Sequence, residues 1–154
     1  MNYSNSNIGG WEASKMRTVM LPALEAVMPA DLTTVIKTVN KYTDNVGGGN
    51  GHVEANVTVT EDRLFLPSYY EVFGGTSTSY ANSYENGLTT QYAYYSAGNS
   101  KVRYRHSATG STCYWWLRSP YYYYSGNFVY VSTSGGASNS RARYSFGCAP
   151  CFAL

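Results

Sequence analysis

Apolar residues recur with helical spacing near the start of the chain. Met16, Val19, Met20, Leu24 and Val27 follow the i, i+3, i+4 pattern and predict one buried stripe on a helix over residues 11–28. Pro22 has no N–H and cannot sit inside a helix, so two short helices meeting near Leu21 are expected. Pro29-Ala30-Asp31 opens a third helical turn, with Leu32, Val35 and Ile36 facing inward. The period then drops to two. Residues 37–43 and 53–60 are β-branched and alternating, which predicts strands, with Gly47-Gly48-Gly49-Asn50-Gly51 as a flexible loop between them. Leu64-Phe65-Leu66 predicts a short apolar strand, and Ser68 caps a helical turn running to Phe73.

Residues 74–90 are polar, and loops of that length are functional or disordered. Tyr80 and Tyr84 either extend a binding surface there or ride on an inert loop. Tyr92, Tyr94 and Tyr95 fall in a short ordered piece, and 101–105 reads as a strand with charges on one face. Trp115 to Arg118 predicts a central strand. In the next strand Phe128 and Tyr130 share one face, Val129 and Val131 the other. Gly135-Gly136 turns the chain, and Phe152 and Leu154 close the core. Short helices followed by short strands give an α+β domain spanning 1–154, with 1–114 as scaffold and 115–154 set apart by composition.

The chain has 154 residues, enough for a core, yet only 13% are charged, about half the usual quarter, and 17 are Tyr. No apolar run predicts a membrane span and no signal-peptide pattern stands at the start, so no membrane insertion is expected. The polar opening, MNYSNSNIGGW, fits a domain excised from a longer protein. Net charge is +2, but unevenly placed: residues 1–90 hold five basic and nine acidic side chains, residues 91–154 six basic (Lys101, Arg103, Arg105, Arg118, Arg141, Arg143) and no acidic ones. That asymmetry favours an anionic or electron-rich partner; the plainer reading is arginines that are solvated or paired with the acidic half.

Little in the chain predicts catalysis. Cys148-Ala149-Pro150-Cys151 is a C-x-x-C, but it lies near the end of the sequence with no helix to follow, unlike a redox motif. Zinc would need Cys113, His52 or His106 as further ligands, and these have no paired spacing. Glu61-Asp62 and Glu85 read as isolated surface carboxylates. No catalytic residue, cofactor or metal is expected. Tyr and Arg together also suit single-stranded nucleic acid, although the scarcity of Lys argues against it.

The last forty residues use a narrow alphabet of Tyr, Ser, Gly, Asn and Arg between two apolar blocks, the composition of evolved binding surfaces. Tyr121 to Tyr124 are consecutive. Neither strand nor helix can turn four successive side chains into one core, so about half must face outward. From Ser119 onward there is no Lys, Glu, Gln, Met, Trp or Asp. Tyr, Ser, Gly, Asn, Arg and Phe can all be encoded by codons ending in a pyrimidine, the set reached by randomising the first two bases of an Asn codon.

The frame WWLRSP, then the diverse segment, then Gly-x-x-Pro-x-Phe-Ala-Leu resembles the variable region of target proteins of diversity-generating retroelements. Gly9-Gly10-Trp11-x-x-Ser14-Lys15-Met16-Arg17 and Leu64-Phe65-Leu66-Pro67-Ser68-x-Tyr70-Glu71-Val72-Phe73-Gly74 resemble the constant part, so the likeness covers nearly the whole chain. Gly147-Cys148-Ala149-Pro150 departs from it, where relatives often carry Gly-Val-Arg-Pro. The resemblance implies a C-type-lectin-like fold related to the formylglycine-generating-enzyme architecture. It implies a non-enzymatic binder of a protein or glycan on a cell surface, carried on a phage tail or bacterial surface. Its implied contact residues are Tyr121, Tyr122, Tyr123, Tyr124, Ser125, Tyr130, Ser132, Ser134, Ser138, Asn139, Ser140, Arg141, Arg143, Tyr144 and Phe146, with Trp115, Trp116, Leu117 and Phe152 as scaffold. Calcium-mediated sugar binding is not expected at a face without carboxylates. A lectin-like module of fixed specificity is the alternative.

Overall fold

The computed structural model describes residues 1–75 and 80–154. Its elements are α1 (Leu21–Glu25), α2 (Ala30–Val35), β1 (Val39–Asp44), β2 (Val57–Asp62), α3 (Tyr69–Phe73), α4 (Ala93–Ser96), β3 (Arg103–Arg105), β4 (Ala108–Cys113), β5 (Trp115–Pro120), β6 (Asn127–Val131) and β7 (Ala137–Arg141). They form a mixed α+β fold with three small antiparallel sheets, β1-β2, β3-β4 and β5-β6-β7. Among the described residues no helix is long and apolar enough to cross a membrane.

The three-stranded sheet is apolar on both faces, which explains why β5 opens on a continuous apolar block, Trp115-Trp116-Leu117, rather than an alternating one. Trp116 and Phe128, with half-buried Tyr130, face a core containing Trp11, Met16, Leu21, Phe65 and Leu66. Trp115, Leu117, Val129 and Val131 face a second core with Tyr69, Tyr70, Val72 and Ala81. The predicted division of Phe128 and Tyr130 from Val129 and Val131 therefore holds. The central strand is β6 rather than β5. All six residues of β5 are nonetheless buried, because its outer edge is covered: Trp116 N–H donates to the Gly147 carbonyl at 2.9 Å and Arg118 N–H to the Pro67 carbonyl at 2.9 Å.

The N-terminal stripe is corrected. Helices do meet at Leu21, but residues 16–20 form a π turn in which Leu21 N–H bonds to the Met16 carbonyl. An α-helix would set residues five apart about 140° from each other. The wider π turn brings them to one side, so Met16 and Leu21 are buried while Val19, Met20, Leu24 and Val27 are exposed, Val27 by 77%. In α2, Ile36 just past the end is buried and Leu32 half-buried, whereas Val35 is exposed.

Ser68 caps α3 in a full capping box. Its hydroxyl accepts from Glu71 N–H at 3.1 Å and its own N–H donates to Glu71 Oε2 at 2.8 Å. Leu64-Phe65-Leu66 is buried but forms only a bridge, Phe65 to Cys151, and a second bridge joins Lys37 to Ala153. The tail is thus stitched across the first half of the chain. Phe152 and Leu154, expected in the core, point outward instead; alternation along an extended tail gives the inward places to Cys151 and Ala153.

Candidate functional site

Tyr121 to Gly126 connect β5 to β6, and this loop is held by its backbone. Asn7, fully buried, donates from Nδ2 to the carbonyls of Tyr121 (3.1 Å), Tyr124 (2.9 Å) and Asn127 (2.8 Å). Asn7 N–H also donates to the Ser125 carbonyl at 2.6 Å, and Gly51 N–H to the Tyr122 carbonyl at 3.0 Å. The glycine loop wedges beside it. Gly47 has φ +62°, and a Cβ there would lie 2.0 Å from the Asn7 carbonyl oxygen; at Gly49, φ +69°, it would meet Ser125 N at 3.0 Å. Glycine at these positions permits the close approach of three chain segments.

Buried carboxylates brace this loop from below. Asp44 Oδ1 accepts from the N–H groups of Val46 (3.0 Å) and Gly47 (2.8 Å), and Gly48 N–H donates to Asn7 Oδ1 at 2.8 Å. Glu85 Oε1 accepts from Asp44 N–H at 3.0 Å, and Oε2 from the Ser119 hydroxyl at 2.8 Å. Burial, with the Asp44 charge adding to it, pushes the Glu85 carboxyl up to about 7, against the opposing hydrogen bonds and the Arg118 charge. Two expected surface carboxylates are therefore internal: Glu85 is fully buried, and Asp62 is buried and paired with Arg17 at 2.6 Å. Glu61 is exposed.

Arg118 is also internal, so it leaves the expected basic face. It bonds Glu71, the Thr43 hydroxyl (2.7 Å) and the carbonyls of Leu66 (2.9 Å) and Tyr42 (3.2 Å). Burial works against the Glu71 charge, but Arg118 and Lys41 hold its carboxyl below the usual carboxylate range.

Above this brace the tyrosines split. Tyr123 and Tyr124 are exposed by 62% and 58%; Tyr121 and Tyr122 are half-buried. Tyr121 packs toward Tyr80, and Tyr122 stacks on His52 with ring centres 4.3 Å apart. Successive rings of the quartet meet at 5.5 Å in steep edge contacts, a self-supporting aromatic ridge. Ser125 is exposed beside it. Tyr80 thus joins this patch and Tyr84 is exposed, while residues 76–79 of the expected polar loop lie outside the described residues.

The remaining candidates do not gather there. Ser132 and Ser134 sit in the β6–β7 turn, roughly 14 Å away along β6 at about 3.4 Å per residue. Their hydroxyls meet each other at 3.0 Å, and Ser132 Oγ accepts from Gly136 N–H at 3.0 Å, so they shape the turn. On β7, Ser138 and Ser140 lie opposite Tyr130 and Phe128, while Asn139 and Arg141 point to the other face; Asn139 Oδ1 accepts from Asn127 Nδ2 at 2.6 Å. Tyr130, Tyr144 and Phe146 form a second aromatic group with Tyr114 and Trp116, in which Phe146 stacks on Trp116 at 4.6 Å. Arg143 is exposed next to it. Asn7 and Tyr114 escaped the sequence reading as site residues, and His52 entered it only as a zinc candidate. Only Tyr114, adjoining the WWL block, carried a signal that pointed to it.

Cys113, Cys148 and Cys151 are free thiols; Cys148 is exposed, and burial raises half-buried Cys151 above the ordinary cysteine value. Among the described residues no three His, Cys, Asp or Glu side chains converge as metal ligands. The chain belongs to the family described as Domain of unknown function (DUF6273), whose model matches residues 1–154. Comparison with curated proteins and with solved structures finds no match.

Proposed function

We propose that this domain is a non-enzymatic ligand-binding module of C-type-lectin-like architecture, with its contact surface in residues 115–154 diversified by a retroelement. One observation carries the reading: Asn7 and Gly51 grip the Tyr121–Asn127 loop through carbonyl oxygens. Every amino acid supplies a carbonyl, so the loop keeps its shape whatever side chains it displays. Exposed Tyr123 and Tyr124 then serve as stiff aromatic anchors for a protein or glycan on a cell surface. The lectin-like reading draws further support from the tail, which bridges back to Lys37 and Phe65 and fixes both ends of the displayed segment.

The test is population sequencing of codons 115–154 with the neighbouring DNA. Substitutions concentrated at pyrimidine-ended Tyr, Ser, Asn and Arg codons, beside an adenine-rich near-copy, sustain the proposal. Uniform or absent variation without such a copy leaves a lectin-like module of fixed specificity.

A further inference from the structure

We propose that the Tyr144-Ser145-Phe146 segment divides a binding groove for an acidic carbohydrate, separate from the Tyr121–Tyr124 ridge. Two clefts flank this segment. One, of about 440 Å³, is lined by Tyr104, Arg105, His106, Tyr114, Phe146 and Cys148 among others. The second, of about 250 Å³, is lined by Tyr3, Lys15, Trp116, Arg143 and Tyr144 among others. Ser145 and Phe146 line both. The larger falls within the roughly 300–1,000 Å³ of small-ligand pockets.

The lining has one chemical sense. Lys15, Arg105 and Arg143 contribute positive charge, and among the described residues no Asp or Glu lines either cleft. Trp116 lines the smaller cleft, and its indole N–H, buried beneath that lining, has no acceptor among the described residues. Exposed Tyr3, Tyr104, Tyr114 and Tyr144 offer ring surface and hydroxyls. Aromatic surface next to guanidinium forks suits sugar rings bearing carboxylate or sulfate groups, the rings lying on the aromatics and the anions on the arginines. The groove breaks into two short clefts and does not form the continuous basic track that a nucleic-acid strand requires.

The inference rests on the binding-module reading, since Arg143, Tyr144 and Phe146 are contact residues of both. It is tested by calorimetric titration with trigalacturonate, with neutral galactotriose and poly-glutamate as comparisons. Trigalacturonate is expected to bind, galactotriose and poly-glutamate at least about tenfold more weakly, and Arg105→Ala and Arg143→Ala each to weaken binding about tenfold. Alkylation of exposed Cys148 by iodoacetamide is expected to slow when trigalacturonate is bound, and a Tyr123→Ala/Tyr124→Ala variant to keep its affinity. Equal binding of galactotriose or poly-glutamate, unaltered affinity in both arginine variants, or unprotected Cys148 overturns the groove. Those results leave the codon test of diversification untouched, so the two ideas fail separately.

Discussion

The side-chain amide of Asn7 donates to the Tyr124 carbonyl at 2.9 Å, across 117 residues of sequence. One buried amide thereby fixes the loop that displays the aromatic ridge. Replacing it with Ala leaves the Tyr121 carbonyl and the Gly48 N–H without their partner, while the Tyr124 and Asn127 carbonyls each keep one backbone donor, Asn127 N–H and Tyr121 N–H. A loss of roughly 2–4 kcal/mol is expected, at about 1–3 kcal/mol per unsatisfied buried group with partial relaxation. Denaturant unfolding of Asn7→Ala measures it, with hydrogen exchange at Ser125 to Asn127 rising in parallel; a change below about 0.5 kcal/mol would show that the loop holds its own shape.

The tyrosine quartet divides by burial, and stability should follow that division. Tyr123→Ala and Tyr124→Ala remove exposed rings and should stay within about 0.5 kcal/mol of the parent. Tyr121→Ala removes a ring packed toward Tyr80 and Tyr124, and should cost on the order of 1–2 kcal/mol. Equal losses at all three positions would mean the ridge is part of the core.

Arg118 and Glu71 make a buried pair, and removing Arg118 leaves the Glu71 carboxylate with Lys41 as its one cation among the described residues. Arg118→Leu should cost about 3–5 kcal/mol. Adding Glu71→Leu should recover part of that loss, because it removes the under-compensated buried carboxylate, although the Lys41 ion pair and the Ser68 capping box go with it. Chemical denaturation of both variants checks the sign; a double variant worse than the sum of the singles would rule out the stranded charge as the cause.

Glu85 makes stability depend on pH. Its carboxyl rises from 4.5 to about 7 on folding. The folded state therefore keeps a proton that the unfolded chain has released. This contribution is full below about pH 4.5 and is lost as pH climbs to about 7. The shift corresponds to on the order of 3 kcal/mol. Asp44, Arg118 and Tyr70 are the charged or titratable groups coupled to it. Glu85→Gln keeps an acceptor for Asp44 N–H and has no proton to lose. The gap in unfolding free energy between parent and variant should change by about 2–3 kcal/mol between pH 5 and pH 8, in favour of the variant at high pH. A constant gap would place the titration elsewhere.

Much of the frame was legible from local rules. Ser68 capped its helix because Glu71 stands three residues on, and alternation across Phe128 to Val131 sorted four side chains onto the right faces. The helical stripe failed because period-3.6 counting assumes an α-helix, and a π turn rotates everything after Met16. Glu85 looked like surface because a lone carboxylate among Asn, Gly and Thr carries no local sign of burial. Its partners, Asp44 and Ser119, lie 41 and 34 residues away. The split of the site had the same origin. The Ser132–Ser134 turn and the tyrosine loop are close in sequence but occupy opposite ends of β6.

The closing bridges have a kinetic consequence. Phe65 pairs with Cys151 and Lys37 with Ala153, and the Trp116 end of β5 gains its outer partner only when Gly147 docks. Such distant pairings form late and slow folding. Until residues 146–153 dock, Phe65 lacks its pairing partner and the core around Trp11 lacks the cover of Phe146 and Cys151. A substitution in residues 115–154 that delays that last docking lengthens exposure to aggregation and proteolysis, so folding speed as well as final stability limits what this segment can carry.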